Sequence, residues 1–515
     1  MNILQEKEFF MKQFSIFLKG TLILTIAGLL SRFLGFFYKI FLAQALGAEG
    51  MGIYQLIFPV FSVCHALTTS GMETAISRFT AFARREEKDS WLYAGLFMSL
   101  LASTAAGLIL WSQSAFIAER LLHEVRCEPL LRILAAAVPL SAIHSCFAGA
   151  WIGRKQTGIP AAAQLLEQIL RIGTVWLLCS IHIQQGRPIT PALAVFGLLA
   201  GEAGSALFML TLTGGNRTVL IHPAKYLDKC RSLLRMALPL TGNRLSLTIL
   251  QSAEAVLIPL SLQKSGLTTA EALSMYGILT GMALSFLMFP NAVTASISAM
   301  LLPVISEEQA KGNTRGISAA IEYTIQFGLT IGILCMGIFL HFGGSLGTIL
   351  FHEKLAGEFL VTLSWICPVL YLTGNLNSIL HGLGKTSVTF FNQLASILVR
   401  ILFIVWFVPP YGIQGVLWGL LASQLLLCLL GIRAVAPCVN PAMGLDILIL
   451  KPLTALFLSI GGIDLFKRLF PALRFGLEVL DLIVSICMVA AAYFIILILF
   501  GTWKFLGLSL KKGSK

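Results

Sequence analysis

Fourteen stretches of this chain are each apolar over twenty or so residues, and they are joined by short polar or Gly/Pro-bearing loops. A helix that crosses a bilayer needs about 20 such residues, and in hydrocarbon a backbone that does not pair with itself is too costly to survive. The stretches run over 15–44, 52–80, 91–113, 129–152, 159–183, 190–213, 233–262, 273–303, 317–342, 358–382, 386–408, 412–433, 446–466 and 476–500. They dictate an all-α polytopic membrane protein of about 14 transmembrane helices. Composition agrees, because only 12% of the 515 residues are charged, against about 25% in soluble domains. The first apolar segment continues for about thirty residues, so it reads as a retained helix and not as a cleaved signal peptide.

The net charge of +13 does not gather into a patch. Basic residues are dispersed between the apolar segments, which argues against a nucleic-acid partner. The ten cysteines show no CxxC pair and mostly fall inside apolar segments, so they read as small hydrophobes and not as disulfide or metal ligands. Alternate loops divide the Lys and Arg unevenly, 23 on the side of the N-terminus and 9 on the other. Cytoplasmic loops carry that excess, so both termini are expected inside.

The longest and most basic loop, Gly214 to Arg235, separates the sixth and seventh spans. It suggests an N-lobe of six helices over 1–214, a cytoplasmic basic linker over 215–235, a C-lobe of six over 236–435 and two added helices with a basic tail over 436–515. A weak echo supports the division. MGIYQLIFPVF from Met51 matches SMYGILTGMALSFLMFP from Ser274, and AISRFTAFARREEKD from Ala75 matches LLPVISEEQAKGN from Leu301. Parallel repeats of this kind occur in secondary transporters, which bind substrate between their halves.

Charges within the spans are the candidate binding residues, because a charge at the bilayer centre costs about 2.5–3.5 kcal/mol and normally faces a partner or a wet cavity. Arg32 and Lys39 lie seven residues apart on one face of the first span, separated by about 10 Å along the axis. Two such cations suit an anionic headgroup, although Lys39 lies nearer the outer end and can instead snorkel to the interface. Glu167 and Arg171 have the i,i+4 spacing of an intrahelical pair, and mutual neutralisation without any ligand is the plainer reading. Arg244 and Glu254, about 15 Å apart along the seventh span, each need a partner elsewhere. Glu202 sits in GLLAGEAGSALF, whose small residues favour close helix packing and an interhelical polar contact. His65 and His144 are lone imidazoles in apolar spans, read as satisfied core residues before proton relays; Arg400 has no assignment. Pro59, Pro139, Pro239, Pro290, Pro303 and Pro368 suggest helices that bend.

No GxxxxGK[ST] loop, HExxH, GxSxG or clustered Asp/His set is found, so the expectation is a protein that is not an enzyme, holds no cofactor or metal and uses no ATP. Its drive would come from a coupling ion, the membrane potential or the substrate gradient. KGTLILTIAGLLSRFLGFFYKIFL from Lys19, GAEGMGIYQL from Gly47, AISRF from Ala75, QLLEQILRI from Gln164, ALPLTGNRL from Ala237 and LMFPNAVTASISAMLLPVISE from Leu287 resemble the stage V sporulation protein B group of oligosaccharide flippases. That group is related to MurJ-type lipid II flippases and to multidrug and toxin extrusion transporters.

The resemblance, over about residues 15–435, implies two lobes around a central cavity that opens alternately to each side of a bacterial cytoplasmic membrane. It also implies export of a peptidoglycan precursor. Arg32 matches an arginine of the cationic cavity in the MurJ-type proteins, whereas Tyr38, Lys39, Leu284 and Ser285 depart from their charged pattern. The reading is thus a flippase for a lipid-linked sugar pyrophosphate, whose headgroup meets Arg32, Lys39 and Arg244 while Glu202, Glu254 and the Glu167/Arg171 pair shape or gate the cavity. The lipid tail stays among the membrane lipids. A cation-coupled multidrug exporter and a non-transporting scaffold for cell-wall or sporulation enzymes are the rivals.

Overall fold

The computed structural model describes residues 3–84, 87–212, 223–291, 293–294, 305, 308, 312–438, 444, 446–469 and 478–501. All regular structure among them is helical, and the protein is a multi-pass membrane protein. Among the described residues, thirteen helical runs are long and apolar enough to cross a bilayer. The first, Leu22–Phe82, spans 61 residues and takes in most of the first expected span and all of the second, which reconciles thirteen runs with about fourteen crossings. Much of the linker, the segment 295–304 with Pro303, and the basic tail beyond Gly501 lie outside the described residues.

Two compact units divide the chain. One takes the described residues up to Gly277 together with Ile404–Gly412, and the other takes Ile278–Phe403 and the described residues from Ile413 on. The first unit holds Ile3–His65 (α1), Gly71–Phe82 (α2), Lys88–Ser112 (α3), Glu128–Gly153 (α4), Gly158–Gln184 (α5), Pro191–Leu212 (α6), Pro223–Lys264 (α7) and Thr269–Gly277 (α8).

A straight helix of 63 residues would reach about 95 Å, three times the hydrocarbon thickness. Gly47 breaks α1 with φ 69° and ψ −179°, a conformation open to a residue without a Cβ. Between α1 and α2 the helix widens over Ala66–Ser70. There Thr68, Thr69 and Ser70 donate hydroxyl hydrogen bonds to the carbonyls of Cys64, His65 and Ala66 at 2.8, 2.5 and 2.9 Å, and Ser99 of α3 donates to the Thr68 carbonyl at 2.7 Å. Local widening of this type concentrates at functional positions.

The core of this unit is α4, packed against α2, α3 and α6, with α6 also packed along α5. Met72, Ile76, Leu92, Cys146, Phe147, Ala163, Met209 and Leu233 are buried together there. Pro59, Pro139 and Pro239 lie inside helices. Pro368 instead stands at a helix start, where its missing N–H would have had no partner and φ is already suitable.

The second unit contains Leu284–Met288 (α9), Thr314–Phe351 (α10), Lys354–Leu363 (α11), Cys367–Gly382 (α12), most of Thr386–Trp406 (α13), Ile413–Val435 (α14), Lys451–Leu469 (α15) and Glu478–Leu499 (α16). Buried polar tips tie it together. Asn375 Nδ2 donates to the Thr324 carbonyl at 2.9 Å, Tyr371 to Leu287 at 2.8 Å and Tyr493 to Thr330 at 3.0 Å. The last of these fixes α16 to α10. At the end of the α15/α16 pair, Lys467 and Asp481 form an ion pair at 3.3 Å. All ten cysteines are free thiols, and six are buried.

Candidate functional site

Three neighbouring helices of the first unit carry ionisable side chains to one depth. His144 is nine residues before the end of α4 at Gly153, Glu167 nine after the start of α5 at Gly158, and Glu202 ten before the end of α6 at Leu212. At 1.5 Å per residue each stands about 14 Å from its helix end. The close approach of α6 to α5 completes the geometry, because a Cβ on Gly201 would come within 2.8 Å of the Glu167 carbonyl oxygen and 3.3 Å of the Arg171 Cβ. Small residues beside Glu202 thus let the helices touch backbone to backbone.

Within this contact Arg171 Nη2 donates to Glu167 Oε1 in the intrahelical pair. The second carboxylate oxygen, Glu167 Oε2, lies 3.9 Å from His144 Nδ1, and Glu202 Oε2 lies 3.8 Å from the same nitrogen. Neither separation is a hydrogen bond, which needs about 2.7–3.2 Å. Glu202 is buried, and its Oε2 has no hydrogen-bond partner. Arg171 Nε and the Tyr38 hydroxyl are likewise buried without one, and Arg171 also interacts electrostatically with Tyr38 and Tyr54 of α1. Around the rim, Glu73 of α2 acts on His144, and Arg244 of α7 acts on both Glu73 and His65.

The structure therefore brings together Glu167, Arg171 and Glu202, while Arg244 makes no ion pair with them among the described residues. His144, read from sequence as a satisfied core residue, stands between the two carboxylates, and its equal depth with Glu167 and Glu202 was the signal available for it. Glu73 was not singled out in the sequence, although it shares that depth, nine residues before Phe82. Lys39 and Glu254 are half-buried on α1 and α7.

Arg32 is exposed and makes no ion pair among the described residues. Its helix face is open, since nothing lies within 4 Å of a Cβ at Gly28 or Gly35, one turn to either side. Arg244 is also exposed, near Gly242, which has the same open surroundings. Arg400 belongs to the second unit, on α13.

Residues 17–309 match the model of the polysaccharide biosynthesis protein family. Stage V sporulation protein B of Bacillus subtilis (strain 168) is 29% identical over 427 residues, which cover 80% of this chain and 82% of that protein. Lipid II flippase MurJ of the same organism is 24% identical over 75% of this chain and 76% of its own length. Among solved structures, lipid II flippase MurJ in an inward closed conformation superposes with a TM-score of 0.73 at 15% identity, covering 93% of this chain and 98% of that one. At that identity the superposition establishes a shared fold.

Proposed function

The chain belongs to the polysaccharide biosynthesis protein family, and from that premise we propose that it is an alternating-access flippase for a lipid-linked oligosaccharide in a bacterial cytoplasmic membrane. The substrate is a peptidoglycan precursor of the lipid II type, serving cell-wall or spore-cortex synthesis. Similarity to stage V sporulation protein B and to lipid II flippase MurJ supports this class of cargo. The observation that carries it is Arg32, a guanidinium in a membrane span that is exposed on an open helix face without an ion pair among the described residues. Such a charge is costly unless an anion or water meets it. A pyrophosphate offers the paired oxygens that a guanidinium fork binds best, and low local dielectric strengthens the contact.

In this reading Arg32, Lys39 and Arg244 receive the headgroup while the polyprenyl tail remains among the membrane lipids. Glu202, Glu254 and the Glu167/Arg171 pair shape or gate the cavity, in a chain read as an N-lobe over 1–214, a linker over 215–235 and a C-lobe over 236–435. Residues 436–515 add two helices and a basic tail. Both termini face the cytoplasm. The protein performs no bond chemistry and uses no ATP; an ion gradient, the membrane potential or the substrate gradient drives it. The exposed arginines favour an anionic cargo over the cationic drugs of a multidrug exporter.

The test is translocation of labelled lipid II in proteoliposomes, with wild type, Arg32→Ala and Arg244→Ala at matched insertion. A charge-assisted hydrogen bond contributes about 1.5–3 kcal/mol, so each variant is expected to lose about tenfold or more in flipping at limiting substrate. Full activity in both variants would remove the cationic-cavity mechanism. Absence of flipping by wild type, across lipid II and other lipid-linked sugars, would leave the scaffold reading.

A further inference from the structure

We propose that His144, Glu167 and Glu202 form a binding site for a divalent metal ion of the zinc class, placed between three membrane-spanning helices of the first unit. One donor atom from each residue lies within 4.8 Å of the other two. The donors come from α4, α5 and α6, so an ion bound there fastens three helices to one another.

The spacing supports an ion in place of a hydrogen bond. His144 Nδ1 stands 3.8 and 3.9 Å from the two carboxylate oxygens, beyond hydrogen-bonding distance. Donors around a tetrahedral ion with bonds of about 2.1 Å stand about 3.4 Å apart, so the two imidazole–carboxylate separations close by a few tenths of an ångström, and the three donors, now within 4.8 Å of one another, draw together by side-chain rotation. The Glu202 side chain is 9% exposed, and the oxygen it directs at His144 is buried without a hydrogen-bond partner. An anionic oxygen left in that state is expensive, and a cation beside it removes the cost.

Glu167 is prepared for the role. Arg171 takes its Oε1, leaving Oε2 aimed at His144; outer groups of this kind orient metal-binding carboxylates. Arg171 forms its ion pair with Glu167, and among the described residues Glu202 is paired with no guanidinium or ammonium group, which leaves it available to a cation. One imidazole with two carboxylates suits zinc or manganese, whereas magnesium prefers all-oxygen, hydrated octahedral surroundings. Binding requires the neutral form of His144 and is opposed by acid.

The experiment uses the full-length chain in detergent, stripped with chelator and free of any lipid-linked sugar, so its outcome does not depend on whether the protein is a flippase. Zinc is titrated calorimetrically, and metal retained after desalting is counted. Wild type is expected to bind one zinc ion per chain, with His144→Ala and the near-isosteric Glu202→Gln each weakening binding by at least the tenfold typical even of outer-shell changes. X-ray absorption of the zinc-loaded wild type is expected to show one imidazole and oxygen donors without sulfur, a readout that needs no variant to fold. Zinc bound with sulfur donors, zinc bound equally by the two variants, or no retained zinc in wild type would each overturn the site.

Discussion

Gly201 on α6 lies so close to Glu167 on α5 that a methyl group on its Cα would stand 2.8 Å from the Glu167 carbonyl oxygen. That contact sets the spacing of the two carboxylate-bearing helices, because the obstacle is backbone and cannot rotate away. Gly201→Ala is expected to lower stability by about 1–3 kcal/mol, the usual cost of overpacking. Thermal unfolding in detergent, followed by the loss of monodisperse protein, is the measurement; an unchanged melting temperature would mean that the helices separate freely.

The Glu167/Arg171 pair is mostly shielded, with side chains 13% and 17% exposed. Removing one partner of a buried pair costs about 3–5 kcal/mol because it strands the other, whereas replacing both is far milder. Arg171→Met is therefore expected to destabilise strongly and the double variant Glu167→Gln/Arg171→Met to recover most of the loss. Equal stabilities for the single and double variants would show that the two charges are not coupled.

Acid sensitivity is expected in the loop before α4. Burial of the Glu124 carboxyl raises its pKa, but hydrogen bonds from the Arg126 guanidinium and backbone amide outweigh burial and hold it below the ordinary carboxylate value. Arg126 also reaches Glu49 at 2.7 Å, so the contact joins this loop to α1. A depressed folded-state pKa means stability that is full above about pH 4.3, the unfolded value, and is lost as pH falls through the folded one. Glu124→Gln should flatten the acid limb of the unfolding profile in that window. An identical acid limb in wild type and variant would rule the contact out as its source.

The proposed orientation gives a labelling pattern. In a cysteine-free background, Arg187→Cys between α5 and α6 should react with a membrane-impermeant maleimide in intact cells, while Lys155→Cys between α4 and α5 should react only after permeabilisation. The reverse pattern would place both termini outside.

The class of structure and the identity of the charged groups within it follow from the order of residues along the chain. Runs of apolar residues can only be helices in hydrocarbon, and the Glu167/Arg171 pair is formed by two residues one turn apart, as helical geometry requires. Even the common depth of His144, Glu167 and Glu202 follows from counting along three helices. Rotation of each helix about its axis and contact between neighbours depend on packing against residues far away in the chain, so they emerge only in the folded protein. Gly201 against the Glu167 backbone turns Glu202 toward His144, which converts an imidazole that reads as ordinary core into the centre of a carboxylate cluster. Arg32 shows the converse: its charge is plain in the sequence, but the open face that leaves it available exists only once α1 is packed on its neighbours.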